Sequence, residues 1–430
     1  MIFLWDIPAG PGGQARAAGG CGPAGGRYNA LRKGARLMEV QRSERLSKLP
    51  RYLFAGLRQK IAAARAAGAE VISLGIGDPD TPTPEPVVRE LCRAAADPAD
   101  PNRHRYGCDV PVPQLAQSVR DFYKRRWAVA LGDDQVVCTC GSKDAIPKLA
   151  AGIMNPGDVG IAPVPGYPTY NIGHVFAGAA THQAPLLAEG GFLVDFESIP
   201  PEVRRKAKIL WLNYPNNPTT AVADLDFFRR AVEFGRRHDI LIAHDNAYSE
   251  NTYDGYRSPS ILQVDGAAEV AVELFSLSKA FCMTGWRVGA VVGNASAVAA
   301  LRAVKENVDN GTLRAVQFAA AAALDNAETL IPPINAIHRR RRDMVVDALN
   351  AAGWSLDKPK ATIYVWAPVP ERFNGSSEAF ATELLDKTGV VVTPGLGYGQ
   401  YGEGYFRISL TYPDEVIAKA VDRIAVFRHT

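Results

Sequence analysis

Ser276-Leu277-Ser278-Lys279-Ala280-Phe281-Cys282-Met283-Thr284-Gly285-Trp286-Arg287-Val288-Gly289 is the stretch on which the reading of this chain turns. It follows an apolar run, Val270 to Phe275, that reads as a buried strand. Just past that strand, two serines, a lysine and an arginine follow within twelve residues. An amine can form a Schiff base with an aldehyde. Two hydroxyls and a guanidinium can hold a phosphate. A ring that carries an aldehyde and, apart from it, a phosphate meets both demands, and pyridoxal phosphate is such a ring. In isolation the same residues also read as a surface lysine and a solvated arginine beside a tight turn, so the remainder of the chain has to decide.

Three further segments supply the other parts of such a pocket. Leu241 to Asp245 is a short apolar strand ending in an acid. In an open α/β sheet a carboxylate at a strand's C-terminal end points into the crevice where ligands bind. Asp245 there can pair with a pyridine nitrogen and keep it protonated, which makes the ring an electron sink; an aspartate after a strand also reads as a helix N-cap. Tyr248, three residues on, can reach the ring's phenolic oxygen. A second strand, Ile209 to Leu212, runs into Asn213-Tyr214-Pro215-Asn216-Asn217-Pro218-Thr219. Pro218 restricts Asn217 to extended conformations, and the Asn217 amide can donate to the same oxygen, although Asn-Pro turns are common without a ligand. Val136 to Cys140 leads into Gly141-Ser142-Lys143, a glycine turn opening a helix. Its free N–H groups and its dipole suit a phosphate.

These motifs, with Pro165-Gly166-Tyr167-Pro168 and Tyr405-Phe406-Arg407-Ile408, run in one order from about residue 45 to the C-terminus. In that order the chain resembles the class I/II aminotransferases, the fold-type I enzymes that use pyridoxal phosphate. Within them it is most similar to the LL-diaminopimelate group. The pointers are Leu49-Pro50-Arg51-Tyr52, Leu74-Gly75-Ile76-Gly77-Asp78-Pro79-Asp80 and a phosphate loop of Gly-Ser-Lys type.

The resemblance implies an α/β fold: a large domain with a mostly parallel seven-stranded sheet, plus a smaller α/β domain. It also implies a homodimer. Residue by residue, Lys279 resembles the Schiff-base lysine that also moves the proton, and Asp245 the pyridine partner. Asn217 and Tyr248 resemble the ring-oxygen donors. Ser142, Lys143, Ser276, Ser278 and Arg287 resemble phosphate contacts, and Tyr167 the stacking aromatic. Tyr106 is similar to a tyrosine that reaches the partner subunit's phosphate. Arg407 resembles the arginine that clamps the substrate α-carboxylate by a bidentate fork. Tyr52, Gly77 and Asn310 fall at substrate-contacting positions, where Lys143, Tyr167 and Asn217 also serve. The chain departs from the family pattern at Pro111 and Ala116, where Gly and Arg are usual, so the turn after Tyr106 can differ.

The activity so implied is a ping-pong exchange through the amine form of the cofactor, from an amino acid to a 2-oxo acid. The donor that fits best is LL-diaminopimelate, with 2-oxoglutarate as acceptor and lysine biosynthesis as the setting. Two alternatives stay open. One is another donor, such as alanine, aspartate or an aromatic amino acid. The other is a carbon–sulfur β-lyase on the same scaffold, which would also need Lys279, Asp245 and Arg407.

Composition agrees with a soluble enzyme of the cytoplasm. The chain has 430 residues, 47% hydrophobic and 22% charged, enough for a large core in two or three domains. A net charge of +3 gives no reason to expect nucleic acid or membrane as a partner. The basic run from His338 to Arg342 reads as the solvated face of a helix. Six scattered cysteines read as reduced core thiols, and neither they nor the seven histidines show metal-ligand spacing. Ala9 to Arg36 is rich in Gly, Ala, Pro and Arg and reads as disordered.

The expected organisation is an extension over 1–38, an arm and part of the small domain over 39–85, a large cofactor-binding domain over 86–330 and a small domain over 331–430. The boundary is expected at Ile331-Pro332-Pro333-Ile334. Expected strands are Val136 to Cys140, Val159 to Ala162, Lys208 to Leu212, Ile240 to Ala243, Val270 to Phe275 and Val288 to Val292 in the large domain. Thr362 to Ala367, Gly389 to Thr393 and Phe406 to Leu410 are expected in the small one.

Overall fold

The computed structural model describes residues 38, 40–49, 60–62, 65–66, 68–107 and 112–428. Tyr52, Pro111 and the Gly/Ala-rich N-terminal stretch fall outside them. The unit from Arg45 onward is the one described below.

Seven strands form the main sheet. They are β2 (Val136–Thr139), β3 (Val159–Val164), β4 (Ala180–Pro185), β5 (Ala207–Leu212), β6 (Leu241–Asp245), β7 (Ala271–Ser276) and β8 (Gly289–Gly293), numbered after β1 (Ile72–Ser73). Their order is β2-β8-β7-β6-β5-β3-β4. All neighbours are parallel except β8, which runs against both β2 and β7. The central strands are mostly buried on both faces, which is why they read as largely apolar stretches without alternation, interrupted by Lys208 in β5, His244 and Asp245 in β6 and Glu273 in β7. Alternation then divides their side chains between two cores. Leu210, Leu212 and Ile242 enter one with Phe227, Phe228 and Phe275. Ile209, Trp211 and Ala243 enter the other with Ile146, Leu149 and Tyr170.

The strand absent from the expected set is β4. It is an edge strand, Ala-Thr-His-Gln-Ala-Pro, and is mostly half-buried or exposed. An edge facing solvent needs no apolar run, so hydrophobic periodicity passes over it.

A second core lies in the C-terminal part. Here β9 (Tyr364–Pro368), β11 (Thr393–Pro394) and β12 (Tyr405–Ser409) form an antiparallel sheet. A short parallel pair joins β1 to β10 (Val390–Val391), so the strand expected over 389–393 is divided between two sheets. Ser376 caps the helix Ser377–Thr388 by accepting from the Ala379 N–H, and Gly389 ends it in the left-handed conformation.

The helix Ala327–Ala351 runs unbroken through Ile331-Pro332-Pro333-Ile334, the expected domain boundary. Its first half supplies Ala327 and Ile331 to the large core. Its second half supplies Val345, Val346 and Leu349 to the small one. Packing at both ends holds the helix across two prolines that each remove a backbone donor. The basic run on this helix is corrected as well. Arg339 and Arg340 are exposed, but His338, Arg341 and Arg342 are buried. Arg341 forms a bidentate pair with Asp80 and also bonds Asp414, and Arg342 bonds Asp254 and Asp343. Helical pitch places 338, 341, 342 and 345 on one side, and the sequence alone does not show that acids from distant segments meet them.

Candidate active site

The C-terminal ends of β2, β5, β6 and β7 share one edge of the sheet. Because β8 is antiparallel, its start lies at that same edge and brings Arg287 there. Gly141 leaves β2 with φ 83° and caps the helix Ser142–Ile153. Arg287, itself left-handed at φ 57°, donates from Nη2 to the Cys140 carbonyl at 3.2 Å and from Nη1 to the Thr284 carbonyl at 2.8 Å. A Cβ on residue 141 would lie 2.8 Å from Arg287 Nη2, so only glycine lets the guanidinium sit over the helix start. Ser276 and Ser278 are buried beside it, and the Ser276 hydroxyl accepts the Ser278 N–H at 3.2 Å. Backbone N–H groups, a helix dipole, a guanidinium and two hydroxyls are the donor set for a phosphate dianion. Lys143 is exposed at the mouth of this cradle.

Asp245 is the last residue of β6 and is 4% exposed. Its Oδ2 accepts the Tyr170 hydroxyl at 2.9 Å, while Oδ1 is buried without a partner. Burial pushes its pKa up to about 6, against the opposing effects of Tyr170, His244 and the nearby Ala247 N–H, which falls short of hydrogen-bond geometry. A buried carboxylate with one bare oxygen needs a cationic donor. A protonated ring nitrogen is such a donor, so the residues present fit pyridoxal phosphate: phosphate cradle at one end, carboxylate at the other. Tyr167 is half-buried and meets Tyr170 edge-on, with ring centroids 6.0 Å apart.

Lys279 lies in the single turn after β7, and its Nζ donates to the Gly77 carbonyl. Burial lowers its pKa, with Arg407 and Arg287 acting in the same sense against Tyr364 and Asp78. The amine is thereby biased toward the neutral, nucleophilic form. Gly77 is itself confined: a Cβ there would overlap the Tyr364 hydroxyl.

Arg407 on β12 is 4% exposed. Its Nη1 donates to Asn217 Oδ1 at 2.6 Å and its Nη2 to the Gly75 carbonyl at 2.7 Å, while Nε is buried without a partner. Among the described residues no carboxylate pairs with it. The Arg407 bond fixes the Asn217 amide, because the oxygen must face the guanidinium, and Nδ2 is left as the donating end.

Tyr364, Tyr170 and Tyr398 received no role from the sequence. The guanidinium of Arg407 lies 3.9 Å from the Tyr364 ring centre and 5.1 Å from that of Tyr398. Register explains the first contact. Arg407 pairs with Trp366, and Tyr364 is the diagonal neighbour on the same face. The Tyr364 hydroxyl is 3.2 Å from that of Tyr248. Burial raises the Tyr364 pKa, but Arg407 and Lys279 outweigh it and hold the group below its ordinary value. No spacing signal marks Tyr364; only the pairing of β9 with β12 does.

Tyr106 and Asn310 are exposed on this single chain and take no part in the hydrogen bonds just described. Among the described residues, Cys140, Asp144 and Asp309 offer ligand atoms within 4.8 Å of one another. Lys148 bonds both aspartates and Lys305 bonds Asp309, so ammonium groups already balance that cluster.

The model of the family "Aminotransferase class I and II" matches residues 69–424. A protein of Dehalococcoides mccartyi named LL-diaminopimelate aminotransferase is 50% identical over 387 residues, covering 90% of this chain and 98% of the relative. One of the same name from Moorella thermoacetica is 47% identical over 386 residues, with the same coverage of both chains. Among solved structures, apo BacF from Bacillus subtilis superposes with a TM-score of 0.85 at 37% identity, covering 91% of this chain and 99% of the other. A Thermus thermophilus aspartate aminotransferase double mutant does so with a TM-score of 0.83 at 26% identity, covering 90% of this chain and 100% of the other.

Proposed function

Because this chain belongs to the class I and II aminotransferases and so depends on pyridoxal phosphate, we propose that it transfers the amino group of LL-diaminopimelate to 2-oxoglutarate. The observation that supports this donor is the near-full-length identity to relatives of that name. When bound, the cofactor supplies an electron sink that stabilises the negative charge left at the substrate's α-carbon. The chain's own residues do the rest. Arg287, Ser276, Ser278 and the first N–H groups after Gly141 hold the phosphate, with Lys143 beside them. Asp245 holds a proton at the ring nitrogen, and Tyr248 with Asn217 Nδ2 donates to the ring oxygen. Tyr167 covers the ring. Lys279 carries the cofactor and moves the proton from the α-carbon. Arg407 receives the α-carboxylate; its buried charge has no other anion among the described residues, and the orphan Nε is one of its free donors.

Diaminopimelate also has a distal ammonium and carboxylate. Tyr52, Lys143 and Asn310 are the residues proposed to meet them. A site that pairs polar ends rejects substrates lacking those ends far more strongly than an apolar pocket rejects a wrong length. Half-reactions followed by the cofactor's absorbance should therefore run orders of magnitude faster with LL-diaminopimelate than with alanine, aspartate or phenylalanine. A faster reaction with any of those three would overturn the donor and leave the aminotransferase standing.

The working unit in this proposal is a homodimer in the cytoplasm, with Tyr106 and Asn310 serving the partner's site; both are exposed on the single chain. In this proposal the large domain over 86–330 binds the cofactor, 39–85 is an arm and part of the small domain, and 331–430 is the small domain. Mixing a Tyr106→Ala variant with a Lys279→Ala variant should restore activity through hybrid dimers. A fully active monomer in sedimentation at assay concentration would refute the shared site.

A further inference from the structure

His244 precedes Asp245 on β6 and is fully buried. Successive strand residues face opposite ways. Asp245 therefore faces Tyr170, and His244 faces the helix Leu225–His238, where the Phe228 ring lies 4.7 Å away. His244 is held between two acceptors. Its Nε2 is 2.8 Å from the Tyr214 carbonyl and its Nδ1 is 2.9 Å from Glu273 Oε2. A carbonyl oxygen cannot donate, so Nε2 carries a hydrogen.

The other side turns on the state of Glu273. Its Oε2 already accepts the Ile261 N–H at 3.1 Å and the Ser260 hydroxyl at 2.9 Å, and its Oε1 accepts the Tyr123 hydroxyl at 2.8 Å. The Ser260 oxygen itself accepts the Leu262 N–H, which leaves its hydrogen for Glu273. Three donors converging on one carboxyl group fit an ionised acceptor. Nδ1 therefore donates too.

We propose that His244 is held as an imidazolium, protonated on both nitrogens, and acts as a positioning residue whose charge keeps Asp245 ionised from the far side of the strand. The groups around it agree. Glu273 on β7 neutralises it, the Tyr214 carbonyl after β5 accepts from it and Phe228 presents a ring. Tyr123 stands behind Glu273, and the Arg126–Glu250 pair lies beyond, with Glu250 acting on Tyr123. Of the two charged groups next to His244, Glu273 spends its charge on four donors, whereas Asp245 has a bare oxygen. The effect on Asp245 rests on reading that residue as the ring-nitrogen partner; the charge of His244 does not.

The charge is tested on the cofactor-free full chain labelled with ¹⁵N-histidine. The signals of His244, assigned by their loss in His244→Gln, should show two protonated nitrogens at pH 7. An unprotonated nitrogen at pH 7 would overturn the proposal. Glu273→Gln supplies a second test should His244→Gln fail to fold: it should convert one histidine nitrogen to the unprotonated type. The effect on Asp245 is read from the pH dependence of pyridoxal phosphate affinity. Affinity should fall toward acid as Asp245 gains a proton. In His244→Gln or Glu273→Gln the midpoint should move up by about one pH unit, with about tenfold weaker binding at pH 5 and about twofold at pH 7. If wild type shows the imidazolium signal and the midpoint is unmoved in His244→Gln, the coupling is overturned. Asp245→Asn should abolish the pH dependence; if it does not, the reading of Asp245 fails and the charge of His244 stands.

Discussion

Lys279→Ala should bind pyridoxal phosphate without a covalent link and lose turnover by at least about a thousandfold, the scale on which a positioned base and a covalent carrier act together. The amine is placed for both tasks. It is tied to the Gly77 carbonyl, it sits in surroundings that depress its proton affinity, and it follows the strand whose last residue, Ser276, lies at the phosphate cradle. The cradle, Asp245 and Arg407 do not depend on it, which is why binding should survive. Borohydride reduction of the wild-type holoenzyme followed by peptide mapping should mark the peptide containing Lys279. A mark on another lysine, or a Lys279→Ala enzyme that still turns over at an appreciable rate, would remove the central assignment.

Asp245→Asn should lower turnover by at least roughly a hundredfold while the cofactor stays bound at saturating concentration, as when a preorganised charge is lost from a water-excluded site. The same substitution should stabilise the cofactor-free protein. The pKa of Asp245 is raised from an ordinary value of 3.8 to about 6, so the folded state prefers the proton. Stability from this group is then fully present below pH 4 and is lost as pH rises through 6. At pH 8 the ionised carboxylate costs the empty protein about 3 kcal/mol, and about half of that at pH 5. An asparagine carries no such charge. Denaturant melts of the two cofactor-free proteins at pH 8 and pH 5 measure the difference. A variant less stable than wild type at pH 8 would show that Asp245 does not carry an uncompensated charge, and near-normal turnover would refute its electronic role.

The sheet was legible because burial on both faces leaves a direct trace in composition. Ile209 to Leu212, Leu241 to Ala243 and Val270 to Phe275 are apolar without alternation apart from Glu273, and each is followed closely by residues with chemistry. Lys279, Asp245, Asn217 and Arg287 could be named from sequence because each follows or precedes such a strand within a few positions. The structure brings these four to one edge of the sheet. β4 was hidden because a polar edge strand has no apolar run, and the continuity of the helix through Pro332 and Pro333 because packing at its two ends leaves no local trace.

The sequence by itself determined the order of elements, the turn at Gly141 and the identity of the groups at the strand ends, since all of these depend on residues close together along the chain. Tertiary structure alone decided which distant groups share a charge. It placed the Tyr364 ring under Arg407, turned the Asn217 amide, set Asp80 and Asp414 against Arg341, and put Glu273 opposite His244. Each of these contacts depends on strand register or on helix pitch read against another element. A bond between residues tens or hundreds of positions apart leaves no trace in the spacing of either one.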